Sequence, residues 1–382
     1  MTHGRTPQLF RSAAQGGPLV TPEPAALPGM DAATAAPWPL YVPRSMKQHG
    51  AHSGYDLLFR HMGLQPASSA WGTRLADAIP AGLAWRLWQL RPQATAAAGL
   101  RAELGAMPWL ARGQGHTCHF IYGEDTYFLT PLWQRKGNRS MASFHYPPKR
   151  LALRVNPGSL RGLHAVIVLG DNQRPYFEQL LPADRIHYCP HAVDTEFFCP
   201  APGPQPETTA APRLLCAGTV YRDYASLREV HRLVRRAGFP VETDVVGINE
   251  EQAAQLGGEI GIHVHNGVSD EALRALYRGA TVGVLPLIDS TANNALLEML
   301  ACGLPVVSTA VGAVAQYCVG SAVKLVEPGD PRKLADAVCE LLADPVVRQE
   351  QGAANRRHAC DTLALDVVAE RMRAIYARCM AA

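Results

Sequence analysis

No two of the nine cysteines have C-x-x-C spacing, which speaks against a zinc ribbon, a redox motif or a disulfide framework. No apolar run approaches the ~18 residues that would span a bilayer. The N-terminus, MTHGRTPQLFR, lacks the apolar stretch of an export signal, so the expected setting is the reducing cytoplasm. Charge is scarce, at 18% of residues with a net value of +3, which excludes a nucleic-acid binder driven by bulk charge. Glycine and proline show no period, which excludes collagen-like and low-complexity chains, and no solenoid repeat is present.

What is present is a globular composition, 47% hydrophobic over 382 residues, enough for two domains. The charge is unevenly placed. Residues 1–190 hold 19 Lys and Arg against 10 Asp and Glu, and residues 191–382 hold 17 against 23. A basic front half suits a partner bearing phosphate or an anionic surface; drift in an Arg-rich composition would give the same pattern.

Residues 1–36, rich in Ala, Pro, Gly and Thr, read as a disordered leader. The chain then divides into 37–199, a proline-rich linker at 200–212 (PAPGPQPETTAAP), and 213–382. Both halves alternate short apolar strands with helices. SMASFHY (140–146) and HAVIVLG (164–170) are strands of the first half, and EDTYFLTPLWQR is read as a helix. RLLCAG, VETDVVG, TVGVLPL and PVVST are strands of the second. Such alternation predicts two doubly wound α/β domains with a ligand cleft at the carboxyl ends of their parallel sheets. The segment 70–110 stands apart, with Trp71, Trp85, Trp88 and Trp109 interleaved with arginines. It is either an interfacial helix lying on a membrane or an ordinary amphipathic helix packed on a sheet.

The chemistry concentrates in VLPLIDSTANNALLEMLACGLPVVST (284–309). A buried strand runs into the polar turn Asp289-Ser290-Thr291, and a helix opens through Asn293 and Asn294. A helix N-terminus offers unpaired N–H groups and partial positive charge, and so suits a phosphate. Ser290 and Thr291 could equally be plain N-caps. Glu298 sits between Leu297 and Met299 in an otherwise apolar helix, where a charge needs a partner such as sugar hydroxyls.

This segment resembles the carboxyl-terminal domain of GT-B-fold glycosyltransferases of the retaining family 4 type. That family has two glutamates separated by seven intervening residues, followed by a small helix and a Gly-Leu-Pro-Val-Val strand, and ALLEMLACGLPVVST is similar to its second half. The resemblance implies that Glu298 binds the ribose hydroxyls of a nucleotide. The family's first glutamate, which touches the donor sugar, falls on Ser290, so Asp289 or the amides around Asn293 and Asn294 would take that role. PHAVDTEFFCP (190–200) and VSDEALRALYRGATVGVLPL (268–287) are similar to further family segments. In the loop after RLLCAG, where relatives carry basic residues on the diphosphate, Thr219 follows Gly218 and Arg222 is the candidate cation. Arg222 could instead be a surface arginine paired with Asp223.

In the first half, GAHSGYDLLFRHM (50–62), with Gly54, resembles the family's glycine loop facing the diphosphate and acceptor. His119 and His145, near the ends of two strands, match cleft histidines that position donor or acceptor. The resemblance therefore implies metal-independent transfer of a hexosyl group from a UDP- or GDP-linked sugar to a sugar or lipid-linked acceptor, with no cofactor and no nucleic acid. It also implies final helices that cross back onto the first domain. A peripheral membrane contact through 70–110 stays open on the Trp and Arg content of that segment. A nucleotide-sugar epimerase on the same fold, a nucleotide-sugar-binding protein without turnover and a membrane-surface scaffold are the alternatives.

Overall fold

A computed structural model describes residues 39–43, 50–80, 96–111, 115–127, 130, 137–155, 157–203 and 211–381. The leader, the AWRLWQLR stretch with Trp85 and Trp88, and most of the proline-rich linker lie outside the described residues.

Two parallel sheets organise the chain. The first runs β1 (Leu40–Val42), β2 (Thr117–Phe120), β3 (Arg139–Phe144), β4 (Ala165–Val168) and β5 (Ile186–Tyr188), side by side in sequence order. The second comprises β6 (Arg213–Ala217), β7 (Glu242–Val246), β8 (Ile262–His265), β9 (Val282–Leu285), β10 (Val306–Thr309) and β11 (Lys324–Val326). Its order is β11-β10-β9-β6-β7-β8. Every pairing is parallel, as in β3 on β4, where Met141 faces Ala165 and Phe144 faces Val168. The strands explain this from their sequence. AVIV in β4 and VGVL in β9 are apolar throughout and buried at all four positions, which only a sheet covered on both faces allows.

Helix starts follow local chemistry. Asp223 accepts the backbone N–H of Ser226 at 2.9 Å and opens the helix Tyr224–Arg236. Ser269 accepts that of Ala272 at 3.2 Å and opens Asp270–Gly279. Each side chain satisfies one of the N–H groups a helix start leaves unpaired. The helix after β9 begins later than the Ser290–Thr291 turn: its cap is Asn293, and it spans Asn294–Ala301. The segment 124–135, read as a helix, is helical over Gly123–Thr126 and at Thr130 but not at Tyr127, and residues 128–129 and 131–135 lie outside the described residues.

The second sheet packs its own helices in one core, with Leu215, Val284, Leu300 and Leu341 buried together. The first sheet has a core on each face. One of these is completed from the far end of the chain. Val368, Ala369, Met372, Ile375 and Tyr376 of the helix Leu365–Ala381 pack with Tyr55, Phe59, Ile121 and Met141. From Ala36 to Ala382 the chain is one compact unit. Among the described residues no helix is long and apolar enough to cross a membrane.

Candidate functional site

In the second sheet the order reverses between β6 and β9, the switch point at which such sheets hold ligands at their strands' carboxyl ends. Backbone bonds lace these two loops together. Asp223 N–H donates to Pro286 O at 2.9 Å, and Ile288 N–H donates to Tyr221 O at 2.9 Å. The turn between Gly218 and Arg222 is tight. Gly218 has φ +93°, and a Cβ there would meet Arg222 Nη2 at 2.5 Å. Tyr221 has φ +58°, a conformation that L side chains seldom adopt.

Arg222 is held inside this turn. Its Nε and Nη2 donate to Ala217 O at 2.9 and 2.7 Å, its Nη1 to Val220 O at 2.8 Å, and its Nη2 also to Asn293 Oδ1 at 3.0 Å. Four of the guanidinium's five N–H donors are thus committed within the protein. It does not pair with Asp223, which caps its own helix.

Glu298 lies in the helix after β9, 5% exposed. Its partner is Tyr277, whose hydroxyl donates to Glu298 Oε2 at 2.7 Å. Burial, with the nearby Asp270 carboxylate, pushes the Glu298 carboxyl up to about 8, against the opposing pull of Tyr277 and Arg222. Asn294, Leu297 and Glu298 line one side of a small pocket, and Gly54, Leu57 and His191 line the other. Gly54 has φ +102°, which a side chain would strain, and it turns the chain into the helix Asp56–His61.

The pocket is flanked by contacts that join the two sheets' loops. His52 N–H donates to Asp270 Oδ2 at 2.9 Å, its Nδ1 lies 2.8 Å from Asp194 Oδ2, and its ring stacks on Phe197 at 3.7 Å. On the other flank, Asn172 Nδ2 donates to Ser290 O at 3.1 Å, and Tyr317 donates to Leu169 O at 2.7 Å. Asp289 Oδ1 accepts the Ser290 N–H at 2.8 Å, folding that turn on itself.

The two histidines have different surroundings. His119 is fully buried within β2. Its Nδ1 lies 2.7 Å from the Tyr376 hydroxyl and its Nε2 2.8 Å from Ser143 Oγ. Ser143 continues to the Tyr55 hydroxyl at 2.9 Å. Burial, with the nearby His145, lowers the His119 imidazole to about 3, so it is neutral. Both ring nitrogens are therefore engaged in a buried chain joining the last helix to the glycine loop, and His119 does not face the cleft. His145 follows β3 directly. Its Nδ1 and its backbone N–H each lie 3.2 Å from Glu124 Oε1. Its ring stacks on Tyr122 at 4.4 Å and meets Tyr55 edge-on at 4.7 Å. Glu124, Asn172, His52 and Asp270 were not singled out from the sequence. For Glu124 a signal existed, because an acid directly after a buried strand sits at the sheet's carboxyl end.

Five side chains near these strand ends carry a buried polar atom with no hydrogen-bond partner among the described residues. They are His145 Nε2, Glu124 Oε2, Asn172 Oδ1, Thr291 Oγ1 and Asn293 Nδ2. Buried polar atoms are seldom left unmatched in a finished core, so this group is a candidate place for a polar ligand, although Trp109 Nε1 and the Tyr127 and Tyr176 hydroxyls are unmatched as well.

Comparison with known proteins agrees with this fold. Residues 211–344 match the family of glycosyl transferases group 1. The chain is 28% identical over 207 residues to an MMP alpha-(1→4)-mannosyltransferase of Mycolicibacterium hassiacum, covering 52% of this chain and 49% of that one. It is 31% identical over 216 residues to a D-inositol 3-phosphate glycosyltransferase of Xylanimonas cellulosilytica, covering 51% and 52%. The chain thus spans about half the length of the curated relatives it matches here. Among solved structures, sucrose-phosphate synthase from Thermosynechococcus elongatus superposes with a TM-score of 0.60 at 19% identity, covering 79% and 80%. Anabaena Alr3699/HepE in complex with UDP and glucose superposes with a TM-score of 0.59 at 14% identity, covering 88% and 98%. The chain therefore has the two-sheet GT-B fold, and its residues 211–344 are similar to the glycosyl transferases group 1 family.

Proposed function

We propose that this protein is a retaining glycosyltransferase that moves a hexosyl group from a UDP- or GDP-linked sugar to a hydroxyl of a sugar or lipid-linked acceptor. The observation that carries the reading is the buried Glu298 at the switch point, facing across a small pocket to the glycine loop. A carboxyl group there serves the ribose diol in either protonation state, as acceptor when ionised and as donor and acceptor when neutral. The solved neighbour that holds UDP and glucose supports a uridine nucleotide as the first donor to test. The curated relatives differ from one another in the acceptor their names give, which leaves the acceptor here at the level of a sugar hydroxyl.

The residues divide the work by lobe. The helix Asn294–Ala301 turns its N-terminal N–H groups and partial positive charge toward the departing diphosphate. Retention then follows if the leaving phosphate itself takes the acceptor's proton on the face it departs from. His145, held by Glu124 and two aromatic rings, orients a substrate hydroxyl and need not act as a strong base. Contacts such as His52–Asp270 and Asn172–Ser290 hold the cleft closed and exclude water, which protects the donor from hydrolysis. In this reading no bound metal takes part, and activity persists in EDTA.

A thermal-shift panel of UDP, GDP, ADP and their sugar conjugates tests the donor. A ligand at about 100 times its Kd stabilises by about 2.7 kcal/mol. Stabilisation by one base alone sets the donor class, and no stabilisation by any of them overturns the reading. Donor conversion without an acceptor would identify an epimerase instead.

A membrane contact through 70–110 has one observation in its favour. On the helix Ala70–Ala78, Trp71 is 59% exposed and Leu75, one turn on, 39% exposed. Anionic vesicles that bind wild type and Trp71→Ala equally would remove that contact from the proposal.

A further inference from the structure

The amide of Asn293 has a fixed orientation. Its Oδ1 faces two N–H donors, the Leu296 backbone at 3.3 Å and Arg222 Nη2 at 3.0 Å. Only an oxygen can stand there, so the NH2 end is placed on the other side. That NH2 is buried, in a residue 7% exposed, and has no acceptor among the described residues. Two positions earlier, Thr291 is 3% exposed and its hydroxyl is likewise unmatched. Both residues stand at the start of the eight-residue helix Asn294–Ala301, where Asn293 Oδ1 caps the Leu296 N–H. Position 290 carries a serine, and the adjoining Asp289 carboxylate accepts the Ser290 N–H at 2.8 Å.

We infer that Asn293 Nδ2 and Thr291 Oγ1 are direct donors to the diphosphate of the nucleotide, and that Arg222 is a positioning residue that aims the Asn293 amide. The inference rests on the transferase reading and changes the roles within it. Arg222, with four donors committed to Ala217, Val220 and Asn293, contributes a fixed local charge and one remaining N–H. The hydrogen bonds to phosphate come from the amide it orients. Both donor atoms are closed to solvent, so the ligand reaches them only when the chain over them moves, with the Arg222–Asn293 contact kept.

The test compares diphosphate with base. Dissociation constants of UDP, GDP, uridine and guanosine are measured by calorimetry for the wild type and for Asn293→Asp, Thr291→Val, Arg222→Lys and the double variant Arg222→Lys/Asn293→Asp. Asn293→Asp keeps the cap and gains an ion pair with Arg222, but turns an acceptor toward phosphate. It is expected to weaken the preferred nucleoside diphosphate about tenfold or more and its nucleoside less than about twofold. Arg222→Lys keeps the charge and loses the orientation, so it is expected to weaken the diphosphate alike, with less than additive loss in the double variant. Equal affinity in Asn293→Asp, or equal loss for nucleoside and diphosphate, overturns the inference. Full affinity in Arg222→Lys overturns the positioning role. If Asn293→Asp does not fold, Thr291→Val decides in its place: a selective loss of diphosphate binding supports the inference, and no loss overturns it. A wild type that binds neither UDP nor GDP overturns the transferase reading itself, a distinct result.

Discussion

The two sheets reach the cleft by different means. The second has a switch point, and its site loops are tied by backbone bonds such as Asp223 to Pro286 and Ile288 to Tyr221. The first runs in sequence order, and its site residue His145 is set by side chains: Glu124 on one nitrogen, Tyr122 on one face and Tyr55 edge-on. Backbone lacing fixes a loop whatever its side chains are. Side-chain clamping fixes one ring and depends on each neighbour. On the proposed function, the second sheet is the nucleotide holder and the first the tunable acceptor side.

Substitutions on the two sides should then separate in kinetics. The largest effect is expected for Glu298→Ala, a fall of about 100-fold in kcat/KM carried mainly by donor KM, with the fold retained. An unchanged donor KM would remove Glu298 from the nucleotide site. On the opposite side, Glu124→Gln is expected to lower kcat about tenfold at an unchanged donor KM, with no further loss when combined with His145→Ala. A shift in donor KM instead would collapse the division of labour.

A third effect is read in stability. Glu298 has its carboxyl raised from 4.5 to about 8, so the folded state binds a proton that the unfolded chain releases. Its contribution is full below about pH 4.5 and is lost as pH rises toward 8. Glu298→Gln removes that loss, so its melting temperature relative to wild type should rise from pH 5 to pH 8. A constant difference would show that the carboxyl is ionised throughout. The smallest effect is expected for Gly54→Ala, about 1–2 kcal/mol of stability from strain at positive φ.

Much of the fold was legible because its signals are local. Four-residue apolar runs such as AVIV mark buried parallel strands, and Asp or Ser at the start of a helical stretch marks its cap. Glu298 was legible for the same reason, as one acid in an apolar helix. What escaped depends on contacts remote in sequence. His119 looks like a cleft residue until Tyr376, 257 positions away, meets its Nδ1. Arg222 looks like a free cation until the turn folds back and its guanidinium meets Ala217 O and Asn293. The segment Asp289–Thr291 looks like a helix start, yet Asp289 closes a turn on Ser290 and leaves capping to Asn293.

The helix Leu365–Ala381 has a consequence for biosynthesis. One face of the first sheet is finished only by Val368, Met372, Ile375 and Tyr376. Tyr376 also ends the hydrogen-bonded chain through His119 and Ser143 to Tyr55, beside the glycine loop. On a ribosome the first sheet emerges early, but it must wait with one apolar face open until the last helix arrives. The lobe made before the second sheet is completed only after it, and during that interval it is the part of the nascent chain that a chaperone would hold.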